Sequence, residues 1–127
     1  MTSPIELIFE KVPCKTGHQV VKVRLVGQLD ESNVDDKAKQ VYLFIEDNPD
    51  ETHYIFELSD LEYMNSKSIG YLTDWYRKIT NKAGLVKLAQ AKENILDILD
   101  TVGLTSIIEH HSNMDSAMVA IVGLDEE

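Results

Sequence analysis

Asn65, Ser66, Lys67 and Ser68 stand together in a chain of 127 residues, where an apolar run gives way to a helical pattern. Small polar side chains at a helix start accept hydrogen bonds from backbone N–H groups, and Asn65, Ser66 and Ser68 all suit that capping task. The same place suits a phosphate. A helix N-terminus presents free N–H groups and the positive end of the helix dipole. A phosphoserine there is stabilised locally while it adds roughly 1.5–2 negative charges to the surface. Such a group would spare the fold and still eject a bound partner, and Lys67 would help to hold its charge. Ser66 is therefore the candidate control point, with simple capping as the other reading.

Elsewhere the reactive side chains do not converge. The sequence has no P-loop, GxGxxG, GxSxG or HExxH motif. Glu109-His110-His111, with Asp115 a helical turn later, is the best metal candidate. Adjacent histidines on a strand point to opposite faces, however, and a ligand set must converge, so a polar strand end is expected and no metal. Cys14 lies in the turn from Pro13 to Gly17, beside Lys15 and Thr16, with no base to generate a thiolate. Asp35-Asp36 reads as a solvated face and Asp125-Glu126-Glu127 as a tail. No catalytic residue and no cofactor are assigned, and a binding protein is expected rather than an enzyme. A deep apolar pocket with perturbed carboxylates at the strand ends would revive an enzymatic reading.

Twelve basic against 22 acidic residues give a net charge of -10. That field repels phosphate backbones and anionic lipid, so neither nucleic acid nor a membrane surface is an expected partner. It draws in a partner with a basic face. A single cysteine excludes an internal disulfide and fits a reducing compartment. No basic segment followed by an apolar run opens the chain, and no apolar stretch approaches the ~20 residues that span a bilayer. A cytoplasmic protein is expected. Length and composition predict one globular domain over 1–127, with a disordered acidic end at about 123–127.

The elements that would position Ser66 follow from periodicity. Ile5, Leu7 and Phe9, then Val21, Val23 and Leu25, alternate with polar neighbours around a Pro/Gly turn, which predicts a hairpin. Val34, Ala38, Val41 and Ile45 recur at helical spacing after Asp30, Ser32 and Asn33. The run from His53 to Leu58 suits a central strand. Ile69, Leu72, Tyr76 and Ile79 mark the core stripe of a second helix, closed near Gly84. Leu85 to Ala89 reads as a strand. Ile95, Leu96, Leu99 and Val102 read as a helix stopped at Gly103, and Thr105 to Glu109 as a weaker strand. A capping box at Ser112 to Asp115 opens a last helix. The order is ββαβαβαβα, an α/β domain with about four helices on a mixed, mainly parallel sheet of about five strands.

That order, together with three motifs, resembles the STAS domain of bacterial anti-sigma-factor antagonists. The family's second strand ends in Gly-x-Leu-Asp, matched by Gly27 to Asp30. Its central loop, hydrophobic-(Phe/Met/Ile)-Asp-Ser-Ser/Thr-Gly-hydrophobic-Gly, falls on Tyr63 to Gly70. A downstream Leu-x-x-Leu-x-x-x-Gly-Leu pattern is matched by Leu96, Leu99, Gly103 and Leu104. The resemblance spans nearly the whole chain. It implies partner switching: the bare antagonist binds an anti-sigma factor that is also a serine kinase, the kinase phosphorylates the loop serine, and a serine/threonine phosphatase resets it. The phosphoacceptor falls on Ser66. The chain departs from the pattern at Asn65 for Asp, Lys67 for the second hydroxyl residue and Ser68 for glycine.

On the second helix Tyr71 and Trp75, an i,i+4 pair, would lie on the flank of the predicted stripe. Exposed aromatics are favoured interface anchors, whereas a tryptophan folded against a neighbouring helix would not be one. The expected docking residues are Asp30, Asn65, Ser66, Lys67, Ser68, Tyr71 and Trp75. The alternative is a STAS scaffold for assembly or small-ligand sensing that is never phosphorylated. Either reading leaves a homodimer open.

Overall fold

The computed structural model of the chain describes residues 4–14, 17 and 19–123. Its elements run β1 (Ile5–Val12), β2 (Val20–Leu29), α1 (Val34–Asp47), β3 (His53–Glu57), β4 (Leu61–Met64), α2 (Ser66–Asn81), β5 (Val86–Ala89), α3 (Glu93–Thr101), β6 (His110–His111) and α4 (Met114–Val122). A short 3-10 turn covers Leu104–Ser106. The hairpin pairs β1 and β2 antiparallel from Ile5↔Gly27 to Val12↔Val20. From β2 the sheet continues parallel through β3, β5 and β6, and β4 also pairs parallel with β2. The sheet is therefore mixed and mainly parallel, as the helical crossovers predict.

Alternation along the strands divides the interior in two. Val21, Val23, Leu25, Tyr54, Phe56, Leu58, Val86 and Leu88 pack against α1, α2 and α3 in the main core. Val20, Ile55 and Ala89 point the other way and meet Ala117, Ile121 and Val122 of α4. Parallel strands covered on both faces bury every position, and all five residues of β3 are buried.

Three details differ from the sequence-based expectations. Among the described residues the sheet has six strands rather than about five, because beyond the expected run from His53 to Leu58 a turn at Ser59 and Asp60 leads into a further strand, Leu61–Met64. β3 pairs with β2 up to Arg24↔Glu57; β4 then takes over the same partner from Gly27↔Leu61, with a register shift between Gly27 and Gln28. Thr105 to Glu109 is not a strand. Gly103 adopts φ 82°, the chain tightens into the 3-10 turn, and only His110 and His111 pair with β5. The buried stripe of α2 is Ser68, Leu72, Trp75 and Ile79, rotated from the predicted Ile69, Leu72, Tyr76 and Ile79. The expected acidic end, apart from Gly123, lies outside the described residues, as do Lys15 and Thr16.

Gly27 sits at the register shift and needs to be glycine. Its φ is +119°, and a Cβ there would lie 2.3 Å from the Pro4 carbonyl oxygen. The close approach lets Gln28 N–H donate to that oxygen at 3.0 Å, while Gly27 N–H donates to Asp60 O at 3.0 Å.

At the far end of the helices, Lys82 Nζ donates to Ile45 O at 2.7 Å and Asn48 O at 2.6 Å, closing the C-terminus of α1 from α2. A cation there satisfies orphan carbonyls and meets the negative end of the dipole. Lys82→Met keeps most of the stem and should cost about 1–2 kcal/mol of stability in urea unfolding. An unchanged midpoint would show that water replaces the ammonium at no cost.

Candidate functional site

The site is built where β2 and β4 leave the sheet together. Gln28 pairs with Tyr63 and Leu29 with Met64, and Asn65 N–H donates to Leu29 O at 3.2 Å. Asp30 and Asn65 therefore start from neighbouring points on one edge, each opening the way into a helix.

The Asp30 side is held by its own hydrogen bonds. Asp30 Oδ1 accepts from Ser32 N–H at 2.9 Å and from Ser32 Oγ–H at 2.6 Å. Buried Asn33 accepts from Asp30 N–H at 3.1 Å and donates to Gln28 O at 2.8 Å. The carboxylate of Asp30 is thus engaged with its own turn.

On the other side Asn65 is the N-cap of α2: its Oδ1 accepts from Ser68 N–H at 2.9 Å, and Ser68 Oγ donates back to Asn65 O at 2.7 Å. This reciprocal pair stands where the family has an aspartate and a glycine. The glycine's freedom is not needed, because Ser68 is a helical residue and is not among those with positive φ. Ser68 is fully buried, so it supports the site from beneath and is not a docking side chain, contrary to expectation. Ser66 is the first residue of α2 and is exposed. Capping runs through Asn65 and Ser68 and leaves the Ser66 hydroxyl at the surface.

Lys67 turns towards α1. Its Nζ lies 2.8 Å from Asp35 Oδ1 and 3.1 Å from Oδ2, and Tyr71 Oη donates to the same carboxylate at 2.7 Å. Lys67 first, then Tyr71, hold the Asp35 carboxyl below its usual range, and Asp35 in turn raises both Lys67 and Tyr71. Lower on the same seam Tyr42 donates to Asp74, which also pairs with Arg77 at 2.8 Å.

Trp75 corrects the expected docking surface. It is 1% exposed, its ring stacked on Phe56 at 5.6 Å and on Tyr71 at 6.4 Å. The indole therefore lies in the core, because the stripe of α2 is rotated towards it. Trp75 Nε1 and Tyr54 Oη are buried with no hydrogen-bond partner among the described residues, and burial pushes the Tyr54 phenol up to about 12. In place of Trp75 the structure offers Tyr63 of β4, 47% exposed and three residues before Ser66. Strand alternation gave no sign of it, since that pattern would put Tyr63 on the same face as buried Leu61.

The histidines lie at the far edge of the sheet, and their bonds diverge. His110 Nε2 accepts from Ala91 N–H at 3.0 Å, while His111 sits 2.7 Å from both Glu109 Oε1 and Ser116 Oγ. Among the described residues no group of three or more His, Cys, Asp or Glu could hold a metal ion, and no helix is long and apolar enough to cross a membrane.

Comparison with known proteins places the fold. The anti-sigma F factor antagonist of Paenibacillus polymyxa is 28% identical over 102 residues, covering 80% of this chain and 86% of its own. An anti-sigma factor antagonist from Mycobacterium paratuberculosis superposes with a TM-score of 0.74 at 20% identity, over 95% of this chain and 98% of that one. The antagonist SpoIIAA superposes in its unphosphorylated form with a TM-score of 0.70 at 20% identity, over 92% of this chain and 98% of its own. The phosphorylated form, from Bacillus, gives 0.62 at 18% identity, over 90% and 99%. At such identities the structural likeness is one of fold. The STAS domain family model, however, matches residues 11–117, and the protein belongs to the STAS domain family.

Proposed function

We propose that the chain is an anti-sigma-factor antagonist, a non-catalytic binding protein switched by phosphorylation of Ser66. The observation that carries this reading is an exposed serine at the first position of α2, capped by its neighbours and level with the Asp30 turn. Bare, the rim formed by Asp30, Tyr63, Asn65, Ser66, Lys67 and Tyr71 docks an anti-sigma factor that is also a serine kinase. The kinase transfers the γ-phosphoryl group of ATP to Ser66: the Oγ–P bond forms as the bond to the bridging oxygen breaks, ADP leaves, and the hydroxyl proton passes to the kinase's base. The dianion then sits in the docking surface, where its desolvation opposes rebinding. A serine/threonine phosphatase restores the hydroxyl with water and releases inorganic phosphate. The relatives' names support the antagonist role, and SpoIIAA occurs in both phosphorylation states.

Intact mass of the protein purified from its native host, with and without phosphatase treatment, tests the switch. A phosphatase-sensitive addition of one phosphate mapped to Ser66 is expected. An unmodified mass, persisting after incubation with the host's anti-sigma kinases and ATP, would leave a constitutive STAS scaffold as the function.

A further inference from the structure

Lys67 is committed elsewhere before any phosphate arrives. Its ammonium is bound to both oxygens of Asp35 and also feels Glu31. The corner it occupies is acidic: Asp30 and Glu31 precede α1, and Asp35 and Asp36 fill its first turn. Lys39, one turn further along α1, also acts on Asp35. Tyr71 is the second donor to the same carboxylate, at 2.7 Å. A phosphate on Ser66 would enter this corner as roughly two negative charges, beside the one residue whose flexible stem is adjacent in the chain.

We propose that Lys67 is a shared counter-ion that passes from Asp35 to the phosphate when Ser66 is phosphorylated, so that a modification on α2 is registered on α1. This inference rests on the reading of Ser66 as the phosphorylated residue. A dianion with three acceptor oxygens outcompetes a carboxylate, and Asp35 is not stranded, because Tyr71 stays with it. Phosphorylation then alters both sides of the docking rim: Ser66 gains its charge, and Asp35 loses the cation that neutralised it. A hydroxyl side chain at position 67, as in the family pattern, has no charge to hand over. Lys67 therefore acts through the phosphate as a positioning residue.

The test uses the full chain with phosphoserine placed at position 66 during translation, so that no kinase is required. Phosphorus NMR follows the second protonation of the phosphate. With Lys67 in place its proton-binding constant should be about threefold lower than in Lys67→Ala, the equivalent of about half a pKa unit, and Lys67→Arg should restore most of the difference. Sharing predicts non-additivity. Asp35→Asn should lower the constant further when Lys67 is present, by more than it does in Lys67→Ala, because it frees the lysine as well as removing a repulsion. If Lys67→Ala leaves the phosphate titration unchanged, Lys67 stays with Asp35; if the two substitutions simply add, Lys67 acts on the phosphate without being drawn from Asp35; either result overturns the inference. A host kinase that ignores Ser66 would overturn the proposed function and leave this measurement untouched.

Discussion

Replacing Trp75 by alanine is expected to remove about 3–5 kcal/mol of stability, a large part of the ~5–15 kcal/mol that holds a domain folded. The indole is 1% exposed, stacked between Phe56 of β3 and Tyr71 of α2, so its loss leaves a cavity at the contact between helix and sheet. Far-UV circular dichroism in urea is the proper probe, because the variant lacks the chain's single tryptophan. Trp75→Phe should lose less, since the stack on Phe56 is kept in part. A midpoint for Trp75→Ala equal to that of the parent would mean that the indole is not packed in the core, and the assignment of the α2 stripe would have to be abandoned. Any weakened partner binding by Trp75→Ala is accordingly expected to reflect unfolding.

Tyr63→Ala should behave in the opposite way. The side chain is half exposed on β4 and takes part in no core contact described for the chain, so stability should shift by less than about 0.5 kcal/mol. Binding of the anti-sigma factor should weaken by about 2 kcal/mol, roughly thirtyfold, because an exposed tyrosine beside the switch residue has the character of an interface anchor. Calorimetric titration with that factor measures it directly. Unchanged affinity for Tyr63→Ala, alongside loss of binding for a substitution at Asn65, would confine the docking surface to the loop and exclude β4.

Much of this was legible in the chain itself, wherever local chemistry decides the outcome. The hairpin follows from alternation around Pro13 to Gly17, α1 from the spacing of Val34, Ala38, Val41 and Ile45, and the start of α2 from Asn65, whose cap needs only its own next turn. What was not legible depends on partners remote in sequence. Two stripes compete on α2, and they share Leu72 and Ile79. Hydropathy favours Ile69 with Tyr76, but Ser68 buries its hydroxyl by donating to Asn65 O, and Trp75 finds Phe56 on the face of the sheet that α2 covers. That rotation, by about one residue, moves two expected docking residues inward. β4 was hidden for a related reason: Leu61 and Met64 are its inward residues, two exposed ones lie between them, and only the register shift on β2 makes that spacing fit. The pair Asp35 and Lys67 is 32 residues apart, and no local pattern announces it.

The division of labour along β2 has a consequence for how such a chain changes over generations. One continuous ten-residue strand serves two successive neighbours, and the ladder with β3 is separate from the three paired positions that hold β4. A substitution at an outward-facing position between Leu61 and Ser68 thus bears on a short ladder and one helix cap, while the five-residue ladder beneath the core is left intact. The segment around Ser66 can therefore change without disturbing the scaffold that carries it. Asparagine at 65 and lysine at 67 lie outside the core and can be exchanged on those terms, whereas serine at 68 is buried and rests on its own bond to Asn65 O.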